Sequence, residues 1–432
     1  MDTTRPTEAD RLESVLMEIR KVIVGQDRIL ERMLVSLLAG GHCLLEGVPG
    51  LAKTLAVETL SRTIGGEFAR IQFTPDLLPA DIMGTRIYRG STEQFDVELG
   101  PVMTNILLAD EINRAPAKVQ SALLEVMAEH QVSIGGETHR VPEPFLVLAT
   151  QNPIESEGVY PLPEAQRDRF LMKLLLDYPT PAEEVEIVQR MGVKSPEARQ
   201  VLSPEELVDL QETARSIYCD RLVVDYAVAL VFATRSPEQH GLTELESYIE
   251  FGASPRASLG LIAAGRALAM LRGRSYVIPQ DVFDVAPEVL RHRVVLTYEA
   301  LAQNLTSDQI LNRILATVPA PRFTPQQPTA EPSRSTSPPP PSSFGQPAIE
   351  PPSGAGVTTP AAQAPSVETW GPSGTESGQA VTAYEDAGLE RSGYGGGPVP
   401  PPLDNGSTIT SGDSYDDTWA STRPTPPADE RT

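Results

Sequence analysis

The sequence predicts an α/β domain built on a parallel sheet flanked by helices, followed by an all-helical domain and a disordered tail. Three observations carry this prediction. Between residues 10 and 178, apolar runs without polar alternation are separated by helical patterns. Cys43-Leu44-Leu45, Ile106-Leu107-Leu108-Ala109 and Phe145-Leu146-Val147-Leu148-Ala149-Thr150 are such runs, and they suit strands buried on both faces. Residues 180–318 show helical patterns only. From about Thr324, Pro, Ser, Thr and Gly dominate and apolar residues become sparse. The expected boundaries are 1–178, 179–322 and 323–432.

The first run leads into Gly47-Val48-Pro49-Gly50-Leu51-Ala52-Lys53-Thr54, then a helix opening Leu55-Ala56-Val57. Strand, glycine-rich turn and helix form the setting of a phosphate loop. Gly47 and Gly50 let the backbone curl so that successive N–H groups face a phosphate, and the helix start adds the positive end of its dipole. Lys53 would reach the β- and γ-phosphates of a nucleotide, and the Thr54 hydroxyl would hold Mg²⁺. The usual pattern has glycine before the lysine. Ala52 stands there and is expected at negative φ, which a helix start permits.

Next, Arg86-Ile87-Tyr88 and Gln94-Phe95-Asp96-Val97 flank a Gly-Ser turn and read as a β-hairpin. The second apolar run ends in Asp110-Glu111, two carboxylates that are costly to bury without a cation. Asp110 would anchor a metal ion and Glu111 would act as general base on the attacking water. A helix follows from Pro116 to Glu129, with proline in its first turn and Val119, Ala122, Leu123, Val126 and Met127 on one face. Val132-Ser133-Ile134 and Thr138-His139-Arg140-Val141 flank Gly135-Gly136 and form a second hairpin. Tyr88 and His139 are candidates for partner contact or for plain hairpin packing. The third run leads to Asn152, placed to orient a lytic water. Arg167 and Arg169 precede a strand at 171–176, and a guanidinium there suits charge on a transferring phosphoryl. The residues alone leave open which arginine serves.

In the helical half, Pro181 and Ser203-Pro204 mark helix starts, and Pro255 to Arg272 carries a continuous small-apolar face. His292 has no partner at metal-ligand spacing and reads as structural.

These stretches resemble the AAA+ ATPases, and within them the MoxR family. The match runs in order over roughly residues 10–320: Val24-Gly25-Gln26, Glu46 to Thr54, Asp110-Glu111-Ile112-Asn113-Arg114-Ala115, Ala149 to Pro153, Glu164 to Phe170, and Gly252-Ala253-Ser254-Pro255-Arg256-Ala257. Ala52 is a normal variant in that family. The resemblance implies a P-loop AAA+ sheet domain with an all-α lid, ATP and Mg²⁺ as cofactors, and Walker A at Lys53 and Thr54. It implies Walker B at Asp110 and Glu111, sensor 1 at Asn152, an arginine finger at Arg169 with Arg167 as the other candidate, and sensor 2 at Arg256 touching the γ-phosphate. It further implies a ring, expected to be a hexamer, in which Arg169 completes the neighbour's site. The implied function is ATP-driven remodelling or maturation of client proteins, often beside a partner with a von Willebrand factor A domain. Arg114 is either an interface contact or a helix-start charge.

Composition sets further bounds. A formal charge of −23 argues against nonspecific nucleic-acid binding. A nucleic-acid motor and a nucleotide-controlled scaffold with slow turnover stay as alternatives. Two cysteines make no disulfide framework, and Cys43 is expected inside a strand as a small hydrophobe. No apolar run approaches a membrane span, and the polar start lacks a signal core, so a cytoplasmic location is expected. Residues 325–432 hold 13 acidic and 4 basic side chains, with Trp370 and Trp419 as the chain's only tryptophans. That segment is expected to be an inert solubilising tail or to carry docking motifs.

Overall fold

A computed structural model describes residues 7–91, 93–153, 158–192 and 196–321. The expected tail lies outside the described residues. The chain opens with α1 (Glu8–Val22) and α2 (Asp27–Leu38), each burying one face. Then come β1 (Cys43–Glu46), α3 (Lys53–Thr63), β2 (Phe68–Gln72) and the short α4 (Pro79–Met83). β3 (Gly84–Arg89) and β4 (Gln94–Leu99) form the first expected hairpin. β5 (Ile106–Asp110), a 3-10 turn at Ile112–Arg114 and α5 (Ala117–Glu129) follow. β6 (Gln131–Ile134) and β7 (Glu137–Arg140) form the second hairpin, closed by Gly135-Gly136. β8 (Leu146–Gln151), α6 (Glu164–Arg167) and β9 (Met172–Leu175) complete the α/β part. Pro116 is the residue before α5 rather than part of its first turn, because its extended ψ of 154° lies outside the helix.

The central sheet has five strands in the order β2-β5-β8-β1-β9, and every neighbouring pair is parallel. Alternate side chains feed two separate cores. Cys43, Leu45, Ile106, Leu108, Leu146, Leu148, Met172 and Leu174 join one, while Leu44, Leu107, Ala109, Val147 and Ala149 join the other. Both faces are covered at β1, β5 and β8, so those three strands show no polar alternation, and each fully buried aliphatic contributes about 1.5–3 kcal/mol. Cys43 is fully buried, and burial pushes its thiol up to about 12, so it packs as a small hydrophobe. The strand ends Glu46, Asp110 and Gln151 lie along one edge through the pairings Glu46–Gln151 and Ala109–Ala149. In open parallel sheets that carboxyl edge is where ligands bind.

The second half contains α7 (Pro181–Met191), α8 (Pro204–Ser216), α9 (Arg221–Arg235), β10 (Ile249–Phe251), α10 (Pro255–Leu271), α11 (Pro279–Leu290), β11 (Val295–Leu296), α12 (Tyr298–Ala302) and α13 (Ser307–Thr317). Thr180 and Ser203 cap α7 and α8 with reciprocal capping boxes. The expectation of helices alone fails at β10 and β11, which pair antiparallel. Strands of three and two residues are too short to register as a period-two pattern. The small-apolar face of α10 packs where bulk would not fit. A Cβ on Gly260 would stand 3.1 Å from Leu171 Cδ1 and 3.3 Å from Val289 Cγ1.

Candidate active site

The chain leaves β1 at Glu46 and turns through residues 47–52 into α3. A Cβ at Gly47 would lie 2.9 Å from the Leu176 Cβ and 3.0 Å from the Leu176 carbonyl oxygen, so the loop must begin on glycine. Ala52 sits at φ +54°, in the left-handed region. The negative φ expected for it is thus overturned: the chain reverses direction immediately before α3, and that reversal needs a left-handed residue. An alanine there costs about 1–2 kcal/mol relative to ordinary backbone. Lys53 is the first residue of α3, and its Nζ donates to the Gly47 carbonyl at 2.8 Å.

The facing wall is built from β2, β5 and β8. Asp110 and Glu111 stand at the end of β5, and Glu111 takes φ +56°. Thr150 of β8 ties the two together, its hydroxyl donating to Asp110 Oδ1 at 2.5 Å and accepting from the Glu111 N–H at 2.8 Å. Arg70 of β2 donates to Asp110 Oδ2 through Nη2 at 2.6 Å and Nε at 3.2 Å. Gln72 of the same strand donates to Glu111 Oε2 at 2.6 Å, and Arg114 pairs with that oxygen at 3.2 Å. Arginine charges therefore already balance the paired carboxylates that the sequence marked as costly.

Pro49, Gly50, Leu51, Ala52, Lys53, Thr54, Arg70, Asp110, Glu111 and Asn152 line a single cleft of about 470 Å³. Gly47 and Val48, expected at the site as well, are not among the residues that line this cleft. In one cleft, a lysine cation at a helix start suits a phosphate chain, and a hydroxyl with two carboxylates supplies oxygen ligands for a hard divalent cation. Arg70, Gln72 and Thr150 escaped the sequence reading. The polar alternation in Phe68-Ala69-Arg70-Ile71-Gln72 was the available signal, since it marks a strand with one polar face bordering a fully buried one.

The two remaining candidates lie elsewhere. Arg169 and Arg256 together line a second cleft of about 290 Å³, with Met127, Asp168, Leu259 and Arg293 among its walls. Neither borders the cleft of Lys53. Arg256, expected to touch the γ-phosphate, shares this cleft with Arg169. Arg169 is exposed, with Nη1 donating to the Leu124 carbonyl at 2.5 Å. Arg167 is half-buried and paired with Glu164 of its own helix at 3.1 Å. Tyr88 is exposed beside Phe95, with ring centroids 5.2 Å apart, whereas His139 is partly covered. His292 is buried and its Nε2 donates to the Phe170 carbonyl at 3.0 Å, as structural packing requires. Burial and the neighbouring Arg293 hold its pKa well below the ordinary value.

A parallel sheet with a phosphate loop after one strand, an acidic pair at the end of another and a helical domain behind them defines an AAA+ ATPase. The model of the ATPase family associated with various cellular activities matches residues 42–172, and that of the AAA lid domain matches residues 242–314. Chaperone MoxR1 of Mycobacterium tuberculosis is 63% identical over 322 residues, spanning 74% of this chain and 85% of that protein. Protein MoxR of Methylorubrum extorquens is 31% identical, across 74% of this chain and 100% of its own length. A crystal structure of a Cytophaga hutchinsonii protein assigned as an ATPase superposes with a TM-score of 0.69 at 46% identity, covering 73% of this chain and 96% of that one. The chain belongs to the MoxR family of AAA+ ATPases.

Proposed function

We propose that this ATPase binds ATP with Mg²⁺ in the cleft of Lys53 and works as a cytoplasmic ring, a hexamer, that remodels or matures client proteins. A sheet domain (1–178) would hold the nucleotide, a lid (179–322) would move with it, and the tail (323–432) would be dispensable for turnover. The observation that carries the reading is the convergence of Lys53, Thr54, Asp110, Glu111 and Asn152 on one cleft.

In this reading Lys53 leaves the Gly47 carbonyl to meet the β- and γ-phosphates, while N–H groups of residues 50–54 cradle them. Thr54 and Asp110 would hold the magnesium ion, which supplies charge neutralisation on the phosphate oxygens. Arg70 must release Asp110 for this. Glu111 takes the proton of the attacking water, held in position by Gln72 and by Thr150, and Asn152 orients that water. Arg169 and Arg256 line a cleft other than that of Lys53, and their shared wall would suit charge developing on a neighbouring subunit's nucleotide.

The test is ATP hydrolysis against protein concentration for wild type, Lys53→Ala, Glu111→Gln and Arg169→Ala. Lys53→Ala should lose nucleotide binding, and Glu111→Gln should bind ATP without turning it over. Specific activity should rise with concentration and vanish in Arg169→Ala. Mixing Arg169→Ala with Lys53→Ala should restore it, because each supplies what the other lacks. A mixture that stays inactive would mean sites built within one chain. Client remodelling is supported by the name of the relative Chaperone MoxR1, and the proposed partner bearing a von Willebrand factor A domain by the resemblance to the MoxR family alone. Stimulation of turnover by DNA or RNA would point to a nucleic-acid motor, and a rate unmoved by any added protein to a scaffold.

A further inference from the structure

Of the lid residues that hold the turn carrying Arg169, Arg293 makes the most bonds to it. Arg293 follows α11 and is almost fully buried, with its side chain 3% exposed. Its Nε donates to Asp168 Oδ1 at 2.7 Å. Its Nη2 donates to the carbonyls of Asp168 at 3.1 Å and Phe170 at 2.6 Å, and its Nη1 to the carbonyl of Leu171 at 3.0 Å. A further donation from Nη1 to the Val289 carbonyl anchors the guanidinium to its own helix. Every nitrogen of the fork is thus used, and three of its acceptors are backbone carbonyls of the turn on either side of Arg169.

Asp168 extends the grip to the other arginine. Its second oxygen, Oδ2, accepts from the Ser254 hydroxyl at 2.8 Å. Ser254 is the N-cap of α10, and its hydroxyl also accepts from the Arg256 N–H at 3.2 Å. One carboxylate therefore joins the turn before Arg169 to the helix start that presents Arg256. Burying such a pair contributes little net stability, since desolvation offsets most of the attraction. Fixed geometry is what it provides: five planar donors in a fork define the position of everything they touch.

We propose that Arg293 and Asp168 are positioning residues that hold Arg169 and Arg256 as one rigid two-arginine surface for the nucleotide of a neighbouring subunit. The proposal rests on the shared-site reading above. It predicts that loosening the fork harms only the site the subunit serves, not the site it owns. A displacement of about 1 Å at a charge-stabilising group costs on the order of 100-fold in rate.

The experiment uses full-length chains in mixtures. The acceptor carries Arg169→Ala with Arg256→Ala, so it owns an intact cleft and offers no arginines. The donor carries Lys53→Ala, so it offers arginines and owns no working cleft. Their mixture should hydrolyse ATP. Adding Arg293→Lys to the donor should lower that rate at least about tenfold, while adding it to the acceptor should leave the rate within twofold. Equal losses in both arms would make Arg293 a plain stability residue and overturn the proposal. No loss in either arm would overturn it as well. An unmodified mixture without activity would overturn the shared-site reading and the proposal with it. Ser254→Ala, which opens the Asp168 link without stranding a buried charge, provides the second variant and should show the same asymmetry. Thermal melting and fluorescent-nucleotide affinity of each acceptor chain verify that fold and own-site binding persist.

Discussion

Ala52 and Glu111 face each other across the cleft, and both carry a Cβ in left-handed backbone, at φ +54° and +56°. For Ala52 the strain buys nothing that glycine would not supply. Ala52→Gly removes about 1–2 kcal/mol of steric cost and adds about 0.5–1 kcal/mol of chain entropy. The expected result is a gain of up to about 1.5 kcal/mol in urea unfolding with nucleotide binding unchanged. Glu111 differs, because Thr150 receives its N–H and so fixes where the carboxylate points. Thr150→Val removes that acceptor and the donor to Asp110 in an isosteric change. Turnover should fall at least about tenfold while the fold loses about 1–3 kcal/mol, as read by single-turnover hydrolysis beside unfolding curves. The loop from Gly47 to Thr54, the Asp110-Glu111 pair and Asn152 were legible in the sequence because each is a local run beside an apolar strand. Arg70, Gln72 and Thr150 were not, because their roles come from strand pairing across about 40 residues. Arg293 was less legible still, lying 125 positions from Asp168.

β1, β5 and β8 were read correctly because burial on both faces leaves an unmistakable apolar run, whereas the half-exposed β2 was missed; α5 was read because its stripe of Val119, Leu123 and Val126 faces the core. The β10–β11 ribbon was missed because so few residues carry no period. At α10 the logic of small residues leads to a quantitative expectation. The space against Leu171 and Val289 admits a hydrogen at Gly260 and little more. Gly260→Val should therefore overpack that contact and cost about 1–3 kcal/mol, measured as a lower urea midpoint. Gly260→Ala should cost less, since Leu171 needs to yield only a few tenths of an ångström. If Gly260→Val were neutral, α10 would not pack as tightly as its small-residue face indicates.

For the whole molecule, two buried histidines set the acid limit of stability. His42 accepts the Val147 N–H at Nδ1 and donates from Nε2 to the Met127 carbonyl, and burial pushes its pKa down to about 4. His292 shifts the same way through burial beside Arg293. Both are neutral when folded and take up protons near pH 6.5 when unfolded. Unfolding therefore binds extra protons below that pH, and stability present above 6.5 is lost as the pH falls toward 4. The urea midpoint should drop as the pH falls below 6.5 toward 5, His42 contributing about 1.4 kcal/mol per pH unit over that range and His292 adding in the same direction, and His42→Gln should flatten the curve. Removal of residues 325–432 should leave ATP hydrolysis intact; a large loss would give the tail a part in turnover. The segment Arg167 to Phe170 bears on the molecule's history as well as its chemistry. Arg167 pairs within its own helix, Asp168 meets the lid, Arg169 faces outward and Phe170 is fully buried. Four successive codons thus answer to four different surroundings. One inserted or deleted codon would send an arginine into the core and a phenylalanine into water, so the length of this stretch is as tightly bound to its surroundings as its letters are.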